Sequence, residues 1–445
     1  MTLKDADSDA TLALKWSDAA VEAAFAGRIS NRTVDRILAH APPARGLIHG
    51  DFRAAIDRRE PRRSTAAGKL EGEGIDLLER WGLPLVIDRF RMAAAGETLQ
   101  LQDSSLKLFG QAVGLSGSVQ RTDGKFTIDA RAVADRIDVQ QIDVAQILAA
   151  LPRGKTAPAD SPWNLPVEGK VAVAAGSLSY GGYELRQLAG TVAFESNRIM
   201  AEVTDGRLCD IRLPLTAVIV PGRVEVKTQL QARGAELGRT VSCLAGEHLA
   251  VSGNYDLDAE FSASGRADAL LKAARGSFHF AAHAGRISRS EALSRTLELE
   301  EVAGRLETVP GKPVKGGIDY EEITVAGTLQ GGRARLEHIA LDSPLVGVTM
   351  TGDIGLAERS LALQGLVAPL DKLSRAAKRG PILGSVLGAS IIVVPVSITG
   401  SFEDPKVRVL EAAAVGATLV NLMATTFKAP IKLLDSTVGK AQRAP

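Results

Sequence analysis

Apolar and polar residues alternate one by one along most of this chain. The pattern is clearest between Asn254 and Ile287, where Tyr255, Leu257, Ala259, Phe261 and Ala263 are separated by Asp256, Asp258, Glu260 and Ser262. A period of two sends one set to each face of a strand, one dry and one wet. Gly265–Arg275 is a polar, alanine-rich connector. Gly276 then opens a second run, with Phe278, Phe280, Ala282 and Ala284 on one face and His279 and His283 on the other. Shorter runs repeat the unit at Leu12–Trp16, Leu99–Leu101, Val113–Val119, Phe126–Ala132, Val224–Leu230, Ile323–Val325, Val348–Ile354 and Leu361–Leu363. The pairs Asp123-Gly124, Gly181-Gly182, Asp205-Gly206 and Pro221-Gly222 read as the turns between them.

Helical patterning is sparse. Ser30 or Asn31 can cap a short helix over Arg32–Ala39, Gln141–Leu151 reads as helical, and Ser288–Glu291 has capping-box spacing with Leu293 and Leu297 behind it. A proline-rich connector over 152–166 separates a first β region, 1–151, from a second, 167–410, and 411–445 forms a helical tail. Near the end the pattern changes. Lys372, Arg375, Lys378 and Arg379 lie on a short helix, and Pro381–Phe402 carries no charge at all. That length suits a membrane span. Gly384, Gly388 and Pro395 interrupt it, so we read a short apolar helix, Ile382–Ala389, followed by a β-branched strand through Ile392, Val394, Val396 and Ile398. Ala412–Phe427 reads as a second apolar helix with Leu419, Leu422 and Met423 on one side.

Composition narrows the function classes. Apolar residues make up 45% and charged residues 24% of 445, so the chain is not disordered by composition. A net charge of +1 gives no global attraction to nucleic acid. Aromatics are only 4%, too few for the interfacial girdles of a large membrane barrel. The N-terminus, MTLKDADSDA, has no signal-peptide pattern, and Leu12, Leu14 and Trp16 already alternate. The expectation is a chain that starts in mid-sheet, as the C-terminal part of a longer protein. Arg58, Arg59, Arg62 and Arg63 surround Pro61 in what reads as a solvated loop. The histidines form no nucleophile–base pattern, and the glycine pairs match no phosphate loop. We therefore expect no enzyme, no cofactor and no metal. Cys209 and Cys243 have no CxxC spacing, which leaves either two buried thiols or one disulfide.

Many short strands with few helices imply an antiparallel β protein, as sandwiches, a barrel or an open curved sheet. Several segments resemble the AsmA-like family, in the branch of the YhdP-type proteins: YDLDAEFSASG (Tyr255–Gly265), RGSFHFAAHAGRI (Arg275–Ile287), the run Val325–Gly365, and above all VPVSITGSFEDPKV (Val394–Val407). That resemblance implies a long antiparallel, strongly curved open sheet forming an apolar groove, with a few short helices at the C-terminal end. It implies a non-enzymatic protein of the periplasm that carries phospholipid between inner and outer membranes. The alternative is a β-rich assembly or secretion factor for outer-membrane proteins. Leu257, Phe261, Phe278, Phe280, Val348 and Ile354 would line the groove. Lys372, Arg375, Lys378, Arg379, Leu419, Leu422 and Met423 would meet membrane and headgroups. The periplasmic setting tips the cysteines toward a disulfide. Family members begin with a membrane-anchoring helix, which this sequence lacks, so inner-membrane association would need an upstream part or a partner protein. An acyl chain of ~16 carbons exposed to water costs about 13 kcal/mol, which is what such a groove would offset.

Overall fold

A computed structural model describes residues 2–30, 33, 46–57, 64–76, 85–108, 110–122, 125–138, 167–246, 250–288, 317–369, 391–402, 404–411, 416–427 and 431–433. The fold is mainly β, with three short α-helices among the described residues. The chain divides into two compact units: residues 1–208 with 214–223, and residues 209–213 with 224–445. The helices expected over Arg32–Ala39 (apart from Thr33) and Gln141–Leu151, the 152–166 connector and the arginine cluster around Pro61 lie outside the described residues.

The first unit is a meander. Strands β1 (Thr2–Lys4), β2 (Asp9–Trp16), β3 (Ala20–Ser30), β4 (Leu47–Asp57), β5 (Thr65–Asp76), β6 (Leu85–Gly96), β7 (Thr98–Leu108), β8 (Gln111–Thr122) and β9 (Lys125–Asp138) each pair antiparallel with the next. Then β9 pairs in parallel with β10 (Val167–Tyr180), so the sheet is mixed where pure antiparallel pairing was expected. A parallel pair needs a connection that returns the chain to the same end, and residues 139–166 supply the length. Antiparallel pairing resumes through β11 (Tyr183–Glu195), β12 (Arg198–Leu208) and β14 (Leu215–Val220). The register aligns Leu12, Phe25, Phe52, Gly68, Ala94, Leu99, Val119, Ile128, Gly169, Phe194, Ile199 and Ile219 in one row across the sheet. The alternation in the sequence thus becomes a continuous apolar face.

The second unit continues the theme with β13 (Ile211–Arg212), β15 (Arg223–Glu236), β16 (Ala250–Val251), β17 (Asn254–Gly265), β18 (Arg275–Ser288), β19 (Ile318–Gln330), β20 (Arg333–Asp342), β21 (Val346–Gly355), β22 (Ser360–Pro369), β23 (Ile391–Ser401) and β24 (Pro405–Val409). From β15 to β24 the main ladder is antiparallel, while the short β25 (Ile431–Leu433) pairs in parallel with β23. Gly352 shows how tightly the ladder is drawn. Its φ is +146°, and a Cβ there would run into the carbonyl of Ala362 on β22.

Irregularities correct several details of the simple alternation. Asp103, Gln187 and Ala284 sit inside strands with φ of 40°, 56° and 48°. The first two coincide with register shifts, so Asp103 and Gln187 are bulge residues. Asp205-Gly206, read as a turn, lies within β12. Ala284 interrupts the run after Ala282. Beyond it Tyr320, in register with Gly285, joins Tyr255 and Ala282 in one buried cluster.

Two helices cover opposite faces of the second unit. Helix α1 (Leu237–Ala245), not foreseen from the sequence, inserts Leu237 and Val241 among Tyr255, Ala282 and Tyr320 on the apolar face. The four-residue α2 (Leu270–Ala273) lies in the β17–β18 connector. Helix α3 (Ala417–Phe427) packs Leu419, Met423 and Phe427 onto Leu366, Ala368 and Val393. Leu366 pairs with Thr349 and Pro395, which places it on the face opposite Val367 and Val394. Gly347 leaves room for the Phe427 ring, since a Cβ would lie 2.6 Å from its Cζ.

Candidate functional site

The apolar face of the second unit is built row by row. One row runs Ala232, Leu257, Phe280, Val325, Ile339, Met350, Gly365, Val396 and Val409. The next holds Leu230, Ala259, Phe278, Gly327, Leu336, Gly352, Leu363, Ile398 and Val407, and a third holds Phe261, Gly276, Leu329, Ala334, Ile354 and Leu361. On the other side of the first row lie Ile323, Leu341, Val348, Val367 and Val394. Short-range alternation and pairing register together place the six expected groove residues on this single face.

They do not form one cluster. Leu257 and Phe280 belong with Tyr255 and α1, whereas Phe278, Val348 and Ile354 pack with Leu336, Met350, Leu363, Val394 and Val396. Phe261 joins neither cluster and lies across from Gly276. All six are half-buried. Burial deepens toward β23, where Val394 and Val396 fall to 1% and 3% exposure.

The opposite face of the same strands is wet. Asp258 accepts a hydrogen bond from Arg233, Arg335 pairs with Asp353 at 3.2 Å, and Asp258 stands in register with His279. These ion pairs are exposed and contribute little to stability. His338 is in register with Ala326 beside His279 and shares a 3.0 Å hydrogen bond with Thr324. Burial, with the neighbouring His279, lowers its pKa. No group of three His, Cys, Asp or Glu side chains converges as a metal site among the described residues.

At the covered end of the apolar face, Cys209 and Cys243 form a disulfide with Cα atoms 5.6 Å apart, fixing α1 to the start of β13. The Thr240 hydroxyl donates to the Cys209 carbonyl at 2.9 Å and lies 2.9 Å from the Tyr255 hydroxyl. The Leu237 amide donates to the Gly253 carbonyl, and the Tyr320 hydroxyl donates to the Ser252 carbonyl at 2.6 Å. Burial raises the Tyr255 and Tyr320 pKa values, and the Thr240 hydrogen bond partly offsets this for Tyr255. Only the spacing of Leu237 and Val241, one helical turn apart, marked α1 in the sequence.

The expected membrane residues fare differently. Lys372, Arg375, Lys378, Arg379 and the Ile382–Ala389 segment lie outside the described residues. Leu419 and Met423 are 7% and 0% exposed and Leu422 is partly buried, because they pack α3 against the sheet. The Thr349 hydroxyl donates to Met423 Sδ at 3.1 Å. In this arrangement Leu419 and Met423 are packing residues and present no surface to a bilayer. Among the described residues no helix is long and apolar enough to cross a membrane. Comparison with protein-family models, with curated proteins and with solved structures returns no match.

Proposed function

We propose that this chain carries phospholipid, with acyl chains held on the apolar face and headgroups left in water. The observation that carries the reading is the central cluster of the second unit. Its members on β18 to β24 lie on one face of one sheet, and no described helix covers them. A strip lined by Leu, Val, Ile and Phe replaces bilayer contacts with equivalent apolar ones. Moving a chain from membrane to strip is then close to neutral, whereas moving it through water costs about 0.8 kcal/mol per CH₂. The strip needs no strong local site, so lipid can slide along it. The AsmA-like resemblance of Tyr255–Gly265 and Val394–Val407 points the same way and would place the protein in the periplasm, between inner and outer membranes.

The test is native mass spectrometry of the purified chain, joined to photo-crosslinking. Phospholipid should accompany the protein. A crosslinker at Phe278 or Val348 should capture it, and one at Asp258 or Glu260 should not. Equal capture from both faces, or no bound lipid, would refute the reading.

A further inference from the structure

The turns along one edge of the second unit form a strip of their own. The β17–β18 connector with α2, the Gly331–Gly332 turn, the turn at Leu356–Arg359 and the turn at Phe402 all lie at the same ends of their strands. Backbone hydrogen bonds link each to the next. Gly331 N–H donates to Ala274 O at 3.2 Å, Leu356 N–H to Gly332 O at 3.0 Å, and Phe402 N–H to Arg359 O at 2.9 Å. Successive turns are two strands apart, so the strip spans roughly 30 Å at ~4.8 Å per strand.

This strip exposes what a soluble edge normally hides. Leu271 is 54% exposed, Leu356 37% and Phe402 39%. Cations stand between them. Arg266 and Lys406 are paired with Asp268 and Asp404. Beside these pairs the described strip carries Lys272, Arg275 and Arg333 against Glu358. The Arg359 guanidinium lies 5.7 Å from the Phe402 ring centre, so charge and apolar tip are held together.

We propose that this strip of turns is a docking edge for an anionic lipid bilayer. Single apolar tips spaced along a line, with excess positive charge between them, suit a fluid and negatively charged surface. A protein partner would favour a contiguous apolar patch with a buried centre. The edge also borders the third apolar row: Leu329, Ile354 and Leu361 lie within two residues of the turns. On the phospholipid-carrying reading above, on which this part rests, a chain leaving the bilayer here reaches the apolar face sideways.

Co-sedimentation of the full chain with vesicles tests the proposal, using phosphatidylcholine alone and phosphatidylcholine mixed with phosphatidylglycerol. The native protein should bind the mixed vesicles more strongly. Leu271→Ser, Leu356→Ser and Phe402→Ser together should weaken binding about tenfold or more. Lys272→Gln, Arg275→Gln and Arg333→Gln together should weaken it on the mixed vesicles only. Leu345→Ser changes a residue 49% exposed at the opposite ends of the strands and should have no effect. Circular dichroism and unfolding midpoints check that each variant is folded. As a second readout, Leu356→Trp should be quenched by brominated acyl chains and Leu345→Trp should not. Absence of vesicle binding, undiminished binding by the triple serine variant, or equal quenching at both positions would overturn the docking edge. If lipid still accompanies the purified protein while binding ignores these changes, the edge is wrong and lipid carriage stands. If binding follows the predicted pattern but no lipid accompanies the protein, the edge stands and carriage fails.

Discussion

Reducing the Cys209–Cys243 bond should free α1 from the end of the apolar face. The bond closes a separation of 34 residues, for which the chain-entropy relation gives about 4 kcal/mol. The noncovalent anchors are of the same order. Leu237, 6% exposed, contributes about 2 kcal/mol by burial. The two hydrogen bonds of Thr240 contribute about 1 kcal/mol each. At nine residues α1 is too short to hold its own conformation. Removing the disulfide therefore takes away about half of what keeps the helix in place. Cys243 is exposed and Cys209 half-buried, so a reductant can reach the bond.

Urea unfolding with and without a phosphine reductant measures the loss, and amide hydrogen exchange over 237–245 locates it. The second unit should lose up to about 4 kcal/mol, and the α1 amides should lose protection well before those of β18 and β19. Binding of an acyl-chain fluorophore should rise, since Tyr255, Ala282 and Leu257 become accessible. A stability change under about 1 kcal/mol with α1 protection intact would refute the reasoning. Two free thiols in the oxidised, unfolded protein would remove its premise.

Two further outcomes follow from single sites. Gly352→Ala should cost about 2 kcal/mol or more, because a side chain at φ +146° is strained and meets the Ala362 carbonyl; the urea midpoint reads it. Tyr255 and Tyr320 have folded pKa values raised above 10.0, so their stabilisation is complete below that value and lost as pH rises through the folded values. The urea midpoint should therefore fall above about pH 10, and Tyr255→Phe with Tyr320→Phe should flatten that fall.

The alternation made the strands legible. Val224–Leu230, Tyr255–Ala263 and Val348–Ile354 are strands because branched and aromatic residues recur at every second position. Their common face was legible too, since register follows from burying one side. What the pattern hid were the places where periodicity breaks. Ala284 adopts a left-handed conformation, which no composition signal marks, and it brings Tyr320 to a cluster that strict alternation would deny it. Leu366 lies on the nominally wet face, and only tertiary packing of α3 explains an apolar residue there. The parallel pairing of β9 with β10 depends on a long connection whose sequence says nothing about direction. Leu419 and Met423 looked like membrane residues because an amphipathic helix reads alike whether it meets a bilayer or a sheet.

The two longer of the described helices each bury part of the sheet, α1 on the apolar face and α3 on the opposite one. Each seals residues almost completely, although Val394 and Val396 of the central cluster reach comparable burial with no described helix over them. Under α3, Leu366 and Val393 are 0% exposed, and under α1, Tyr255 and Ala282 are 1% and 0% exposed. Phe278, Val348 and Ile354 lie outside both covers and stay half-buried, although they are equally apolar. Charge did not keep them open, because their face carries none in the rows from Leu257 to Val409 and from Ala259 to Val407. A backbone partner is not required there either, since the strands from β18 to β23 are paired on both sides. An added peptide strand would bring polar amides to a surface with no hydrogen bond to give them. An acyl chain brings none, so the lipid cargo proposed above would meet no such penalty on this face.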